Sequence, residues 1–572
     1  MSYMKKFRLA FAVNLFLCLT AFFFSSMEVY LGNISEFCFP AKHVWRIMLL
    51  VAFLLAVFLT AAESFLSGKW LFGILILSEA AALCFYLQSV FFNNHLQEMT
   101  GDSITFSKFL VSLNAVIWAI IIVLFCLAFF LIFKKAGKSK ICEILILFSA
   151  ALIVIQLSGL LSTAFSLSES ETDKNTYLSR EGEFSLSADK NVLFFILDTC
   201  DLEYVNEALE ADPGLFDEFT GFVWYPDATS MYSRTYPALP YFLTGEKCYF
   251  DVPVADYLGE AYRTSSYLPT MKKAGTDIRL YTSLEYLYRT AYNTVGNIAE
   301  YDSESLSSLS IPELIKAMLH LAGYREMPYL LKPFFSYALD PINRNVLSDP
   351  PDGYYTFSSD DFTFYARLKK TNLEINEAYS SAFRLYHLFG PHPGCYTSAN
   401  AKYDPNATQT DSFRGDIFIL SEYLRQLKTL GIYDKTTIIV TADHGNQNEN
   451  EDLKLHNPPC CIMLLKRAGA DASEPMAISD AHVSHEDLFA TVLEELGQSS
   501  TNYSEPLYEH ENDNDRIRTY YYTAQRSWGD GEVALKEYKI TGDARDFSNW
   551  ELTDNTWDIL YSQNAISLDK EK

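Results

Sequence analysis

Three separated patches of this 572-residue chain carry side chains able to hold a cation or move a proton. Asp198 closes the apolar run in FFILDT, Asp443, His444 and Gly445 close IIVTADHG, and His387 and His392 fall in AFRLYHLFGPHPG. Carboxylates and neutral imidazoles are the ordinary ligands of Zn²⁺ and Mn²⁺. Alone, an Asp at a strand end is as often a helix cap as a ligand. Strands lying side by side can converge such tips on one ion, so the set argues for a divalent metal site where no single patch does.

The elements that must position these groups are readable. Asn191–Leu197 (NVLFFIL) is a continuous apolar run, as is usual for a strand buried on both faces of a parallel sheet, and Thr437–Thr441 and Cys461–Leu465 have the same character. His387 sits on a further predicted strand, where a packed core histidine is the competing reading. Phe413, Ile417, Leu420, Leu424 and Leu427 recur at helical spacing, with Gly431 placed to end the helix. A second helix is predicted over 486–496, capped by Ser484; His485 before it reads as a helix-start residue and His482 as exposed. Strand and helix in alternation imply right-handed crossovers and an α/β sheet covered on both faces. Residues 515–561 differ: TYYYTAQ, EVALKEYKI and NWELT, separated by turns such as Gly529–Gly531, predict a small antiparallel sheet.

Residues 1–165 hold five apolar stretches near 9–30, 45–66, 70–92, 112–133 and 142–165, each long enough to cross a bilayer as a helix. No small-x-small cleavage site follows the first, which therefore reads as a retained anchor. With the N-terminus inside, inner segments hold Lys5, Lys6, Arg8, Lys69, Lys134, Lys135, Lys138 and Lys140, against Lys42, Arg46 and Lys108 outside. That asymmetry puts everything after about residue 166 outside the cytoplasm, anchored at the plasma membrane. Glu79 lies within the third span, hydrogen-bonded between helices or functional, and Trp70 and Trp118 read as interfacial anchors. Residues 166–189 are Ser- and Glu-rich and predict a linker; 190–505 would be the catalytic α/β domain and 506–572 the β appendage.

Composition supports two halves. Apolar residues make up 49% and charged residues 20%, which excludes a disordered chain. Residues 1–165 carry 11 basic and 7 acidic groups, whereas 166–572 carry 34 and 64, an acidity that excludes nucleic acid as a partner. Cys18, Cys84, Cys126 and Cys142 read as small core residues of the spans. Cys38, Cys200, Cys248, Cys395, Cys460 and Cys461 face the oxidising side; a Cys200–Cys248 bridge is open, and no zinc-binding CxxC spacing occurs.

Residues 190–500 resemble the alkaline phosphatase superfamily, which includes sulfatases, phosphoethanolamine transferases and lipoteichoic acid synthases. The resemblance rests on NVLFFILDT, on SRTYPALPYFLTG, on HLFGPHPG against the pattern HxxGxHxP, and on LGIYDKTTIIVTADHG. It implies a sulfatase-like α/β fold and a catalytic nucleophile at Thr235, with Ser233 and Ser230 as the alternative hydroxyls. It implies metal ligands at Asp198, Thr235, Asp443 and His444. It also implies that His387, His392 and His456 bind substrate or a second metal. Arg234, beside Thr235, either meets an anionic substrate or pairs with an acid. Two departures stand out: Asp198 replaces the Glu usual in the transferases, and Thr199 stands where sulfatases carry a second acid. No Cys-x-Pro-x-Arg or Ser-x-Pro-x-Arg is present, which disfavours a formylglycine sulfatase.

The resulting expectation is a multi-pass helical membrane domain followed by the α/β domain, working as a metal-dependent transferase. It would move a phosphoethanolamine- or phosphoglycerol-type group from a lipid donor to an envelope glycan or lipid acceptor. The alternatives are an extracytoplasmic phosphoester or sulfoester hydrolase and a catalytically silent envelope scaffold. Residues 285–380, rich in Tyr and Phe, are the expected substrate-shaping insertion.

Overall fold

The computed structural model describes the chain apart from residues 1–2, 35–36, 38, 67, 95, 97–105, 167–175, 301–308, 337–341, 343–344, 348–360, 447–453, 512, 514, 526–532 and 559–572. Cys38 and the Gly529–Gly531 turn lie outside the described residues. Two compact units account for the chain, one from residues 1–175 and 301–350, the other from 176–300 and 351–570.

The first unit contains five helices long and apolar enough to cross a membrane: Met4–Gly32, Ala41–Ser64, Trp70–Phe91, Lys108–Lys135 and Ser139–Phe165. The last two form one helical run broken at Gly137, whose φ of 75° no helix interior adopts. Several polar groups inside these spans pair with one another, as hydrocarbon favours. Ser149 Oγ donates to Glu79 at 2.8 Å, and Asn14 Nδ2 donates to Glu63 Oε2 at 2.7 Å and to Thr60 Oγ1 at 3.2 Å. Glu79 is thus hydrogen-bonded between helices through one oxygen, while its other oxygen is buried with no hydrogen-bond partner among the described residues. Part of the region expected to shape a substrate pocket belongs here instead: the helix Ile311–Glu326 and the turn after it fold with the spans.

The second unit is built on a seven-stranded sheet of β1 (Asn191–Leu197), β2 (Val223–Trp224), β3 (Thr276–Tyr281), β4 (Ser381–Leu388), β5 (Thr436–Thr441), β6 (Met463–Lys466) and β7 (Ala477–Ile478). Their spatial order is β7-β2-β6-β5-β1-β4-β3. β5, β1, β4 and β3 run parallel, while β6 is antiparallel to both β5 and β2. The strand expected at 461–465 is therefore displaced by a residue or two and reversed. Among the described residues between β5 and β6 there is no crossover helix, in keeping with an antiparallel return. Every residue of β1 and β5 is buried, as their unbroken apolar runs demand.

Helices α1 (Leu202–Ala211), α2 (Thr235–Thr244), α3 (Gln409–Leu430) and α4 (Asp487–Glu495) cover the sheet. α3 opens on a capping box between Thr408 and Asp411 and ends at Gly431, φ 69°, in the left-handed conformation that glycine adopts cheaply. The chain enters α4 through Ser484, whose Oγ accepts the Glu486 amide at 3.4 Å while Asp487 accepts the Ser484 backbone amide at 2.8 Å. Within the stretch predicted as a linker, Thr176–Leu178 pairs with Ile298–Glu300 and Ser185–Leu186 with Glu374–Ile375. Its second half is therefore ordered by strands from far along the chain, which local composition cannot reveal.

The C-terminal sheet of β8 (Ile517–Gln525), β9 (Val533–Thr541) and β10 (Trp550–Asp558) is antiparallel, as the turn-separated strands predict. It is more than an appendage. Arg518 Nη2 pairs with the buried Asp227 carboxylate at 3.2 Å, and His482 also binds Asp227. His482 is accordingly only 12% exposed, contrary to expectation. Among the described residues, Cys18, Cys84, Cys126, Cys142, Cys200, Cys248, Cys395, Cys460 and Cys461 are all free thiols, so the Cys200–Cys248 bridge is not formed.

Candidate metal centre

The parallel register decides where the strand-end groups meet. Ile196 of β1 faces His387 of β4 on one side and Thr441 of β5 on the other, so the residues just past these rungs emerge at one level of the sheet's carboxyl edge. Asp198, His387 and Asp443 each place a ligand atom within 4.8 Å of the other two, and all three are buried. His387 Nε2 lies 3.6 Å from Asp198 Oδ2, and His444 Nε2 lies 3.5 Å from Asp443 Oδ2 and 3.9 Å from Asp198 Oδ1. His387, expected among the substrate or second-metal groups, thus stands in the innermost cluster with the two acids.

The donor set fits a cation. Asp443 Oδ1 accepts the backbone amides of Thr199 at 2.9 Å and His444 at 2.8 Å, while its Oδ2 is buried with no hydrogen-bond partner among the described residues. His444 Nδ1 lies 2.7 Å from the Gly445 carbonyl, which can only accept, so the ring proton sits there and the Nε2 lone pair faces the carboxylates. Acceptors facing acceptors in a buried site call for positive charge between them. The electrostatics agree. Burial alone would push the Asp198 carboxyl up, but the adjacent His387 imidazole, with His444 and His392 beyond it, carries it down to about 2. Burial, and then the Asp198 charge, push Asp443 the other way.

Thr235 is the first residue of α2 and not part of an extended loop, because Pro237 in the first turn fits a position whose backbone N–H has no helical partner anyway. Its Oγ1 lies 3.5 Å from Asp198 Oδ2 and 3.4 Å from His444 Nε2. The alternative hydroxyls are engaged elsewhere and fully buried. Ser230 Oγ donates to the Tyr232 carbonyl, and Ser233 Oγ accepts the Thr523 amide at 2.8 Å. Backbone bonds from Ser233 N to Tyr521 O and from Tyr521 N to Met231 O stitch this segment to β8, so the C-terminal sheet braces the approach to Thr235. Arg234, half-buried, precedes it as the N-cap residue of α2.

The remaining histidines separate. The His392 ring is half-buried against Phe389, with Nδ1 2.8 Å from the Pro393 carbonyl. His456 is exposed just beyond residues 447–453, which lie outside the described residues. His485 is a core residue: Met231 N–H donates to its Nδ1 at 3.2 Å and Thr441 Oγ1 lies 3.3 Å from its Nε2.

Two positioning residues carried no sequence signal of their own. Thr199 holds a left-handed φ of 58° and donates its hydroxyl to Asp198 Oδ1 at 2.7 Å while its amide holds Asp443. Asp201 accepts the amides of Glu203 and Asn446, tying the start of α1 to the segment after His444. Gly445 is needed beside it, since a β-carbon there would come within 2.7 Å of Asp201 Oδ2 and of the Pro459 carbonyl oxygen.

No protein-family model and no curated protein matches the sequence. Among solved structures, the phosphonate monoester hydrolase SpPMH from Silicibacter pomeroyi aligns at 16% identity and a TM-score of 0.37, covering 66% of this chain and 90% of its own. An alkaline phosphatase superfamily protein from Vibrio parahaemolyticus aligns at 13% identity and 0.35, over 67% and 85%. The lipoteichoic acid synthase LtaP from Listeria monocytogenes aligns at 11% and 0.30, over 63% and 86%. These likenesses are loose.

Proposed function

We propose that the chain is a membrane-anchored, metal-dependent transferase that moves a substituted phosphate from a lipid donor to an envelope glycan or lipid acceptor through a covalent phosphate on Thr235. The observation that carries this reading is the Thr235 hydroxyl, at the start of a ten-residue helix, within 3.5 Å of both Asp198 and His444. Asp198, His387, Asp443 and His444 would hold the cation; Zn²⁺ or Mn²⁺ suits two carboxylates and two imidazoles. Bound there, a divalent ion supplies the charge that lowers the pKa of a neighbouring hydroxyl and offsets charge on a phosphoryl group.

The protein's own part is orientation and proton placement. Thr235 Oγ forms a bond to phosphorus as the bond from phosphorus to the lipid alcohol breaks, and the amide dipoles at the start of α2 favour the incoming anion. In the loaded site His444 Nε2 would face the cation, and the Thr235 hydroxyl proton leaves to water as Oγ bonds phosphorus. His392, held by its Nδ1 contact with the Pro393 carbonyl, gives the departing alkoxide its proton from Nε2, and exposed His456 serves the acceptor side. The acceptor hydroxyl then attacks phosphorus and Thr235 Oγ leaves.

Five candidate spans in the same chain support a lipid donor, and the eight-to-three excess of basic residues on inner segments supports an α/β unit outside the cytoplasm. Reporter fusions after Ser168 and after Lys140 are expected on opposite sides of the membrane. The chemical test incubates the full chain, reconstituted with mixed membrane lipids, quenches it in acid and measures the mass of the Thr235 peptide. The expected result is one added substituted phosphate. Turnover without any adduct would mean direct attack by water, and the hydrolase reading would replace this one.

A further inference from the structure

The segment after the helix Ile311–Glu326 is sided in the reverse of a water-facing loop. In Pro328–Phe335 (PYLLKPFF) the one charged residue, Lys332, is fully buried, its ammonium donating to the backbone carbonyls of Tyr324 and Arg325. Phe335 is turned inward against Gly323, where an added β-carbon would collide with its ring. The outward groups are all apolar: Leu330 is 59% exposed, Leu331 39% and Phe334 75%.

The segment is fixed at a known place along the spans. Tyr329 N–H donates to Asn114 Oδ1 at 3.0 Å, and the Tyr329 ring packs edge-on against Phe106 at 4.7 Å between centroids. Asn114 is itself held from the third span, its Nδ2 donating to Gln88 Oε1 at 2.8 Å. It lies six residues into the span Lys108–Lys135, about 9 Å along a helix rising about 1.5 Å per residue. Asn93 Nδ2, just past the third span, bonds the Arg325 carbonyl at 2.9 Å, and Arg325 pairs with Glu28 of the first span at 2.8 Å, so the preceding helix end is fastened at both. Leu330, Leu331 and Phe334 therefore continue the outward apolar face on which Phe109, Leu113 and Val116 of the fourth span are exposed.

We infer that residues 328–335 are a membrane-seated wedge whose occupant is the acyl-chain region of the leaflet surrounding the start of the fourth span. Hydrocarbon takes up apolar side chains that water would reject, and the one charge of the segment, Lys332, is turned inward onto backbone carbonyls. The segment interrupts the α/β unit in sequence, so that unit is joined to the bilayer at 301–350 as well as through residue 175.

The test reconstitutes the full chain in phosphatidylethanolamine–phosphatidylglycerol vesicles containing a phospholipid with a diazirine in its acyl chain, then irradiates, digests and maps adducts. Adducts on Leu330, Leu331 or Phe334 are expected at a yield within about threefold of those on Phe109 and Leu113, which share the same exposed face. Labelled spans with an unlabelled 328–335 peptide would overturn the inference, whether water, a second copy or the rest of the chain covers the patch. A variant carrying Leu330→Ser, Leu331→Ser and Phe334→Ser leaves the Tyr329 and Lys332 bonds in place. It should lose the lipid adducts and gain hydroxyl-radical labelling from water at this peptide, and strong water labelling already in the unaltered chain would equally refute the wedge.

Discussion

Gly390 lies so close over Asp198 that a β-carbon on it would stand 2.7 Å from the Asp198 nitrogen and 2.8 Å from its carbonyl oxygen. Its φ of 58° adds a second reason for glycine. The turn after β4 is thereby pressed onto the residue after β1, fixing the gap between His387 and Asp198. Gly390→Ala should force these backbones apart by several tenths of an ångström. Bound metal should fall, and turnover should drop by a factor on the order of 10², with the circular dichroism spectrum little changed. Full metal content and full turnover in this variant would show that the close approach does not set the site.

Asp443→Asn removes a charge at nearly constant shape. The two backbone amides on Oδ1 can still be accepted by the amide oxygen, so the local fold should hold. What is lost is the buried, unpartnered second oxygen, and metal retained through gel filtration should fall to a small fraction of one per chain. Elemental analysis of the purified full chain decides it; unchanged metal content would remove Asp443 from the ligand set.

Replacing the proposed nucleophile separates chemistry from architecture. Thr235→Ala should lower turnover by a factor on the order of 10⁴ or more while metal stays bound, and Thr235→Ser should keep part of the rate because a hydroxyl remains. An adduct on Ser233 or Ser230 in the Ala variant would move the nucleophile, although both serines are buried and hydrogen-bonded to backbone.

His485 supplies the pH prediction. Burial holds its imidazole down at about 3, against an ordinary 6.5, and both ring nitrogens are used in the neutral form. The native state therefore refuses a proton that the unfolded chain accepts. Stability should be flat above pH 6.5 and fall as pH drops from there toward 3, by up to about 1.4 kcal/mol per unit from this group. Thermal melts of the full chain in detergent should show the slope, and His485→Asn, less stable at pH 7, should show a shallower one. Equal slopes in the two proteins would rule this group out as the source.

The strands that carry the site were legible because burial on both faces writes an unbroken apolar run, and NVLFFIL and TIIVT are such runs. The ends of those runs gave Asp198 and Asp443. Strand direction was not legible: β6 looks like β5 in composition, and only the route of the chain makes it antiparallel. His387 was seen but placed outside the innermost set, because its position depends on register with β1, a pairing across 190 residues of sequence. Thr199 and Asp201 act through backbone amides, which leave no mark on residue type. The insertion at 311–336 was read by its aromatic content as a pocket wall; its partners, Asn93, Asn114 and Glu28, lie some two hundred residues or more away.

The order in which the strands are synthesised differs sharply from the order in which they sit. Residues 176–300 yield β1, β2 and β3, and no two of these are neighbours in the sheet. Both neighbours of β1, β4 and β5, are made only after the chain has gone back to the membrane unit and left it again. During synthesis NVLFFIL must wait with two unpaired edges, the state most open to mispairing with another chain. Assembly of the sheet's carboxyl edge around β1 is thus a late event in the chain's synthesis.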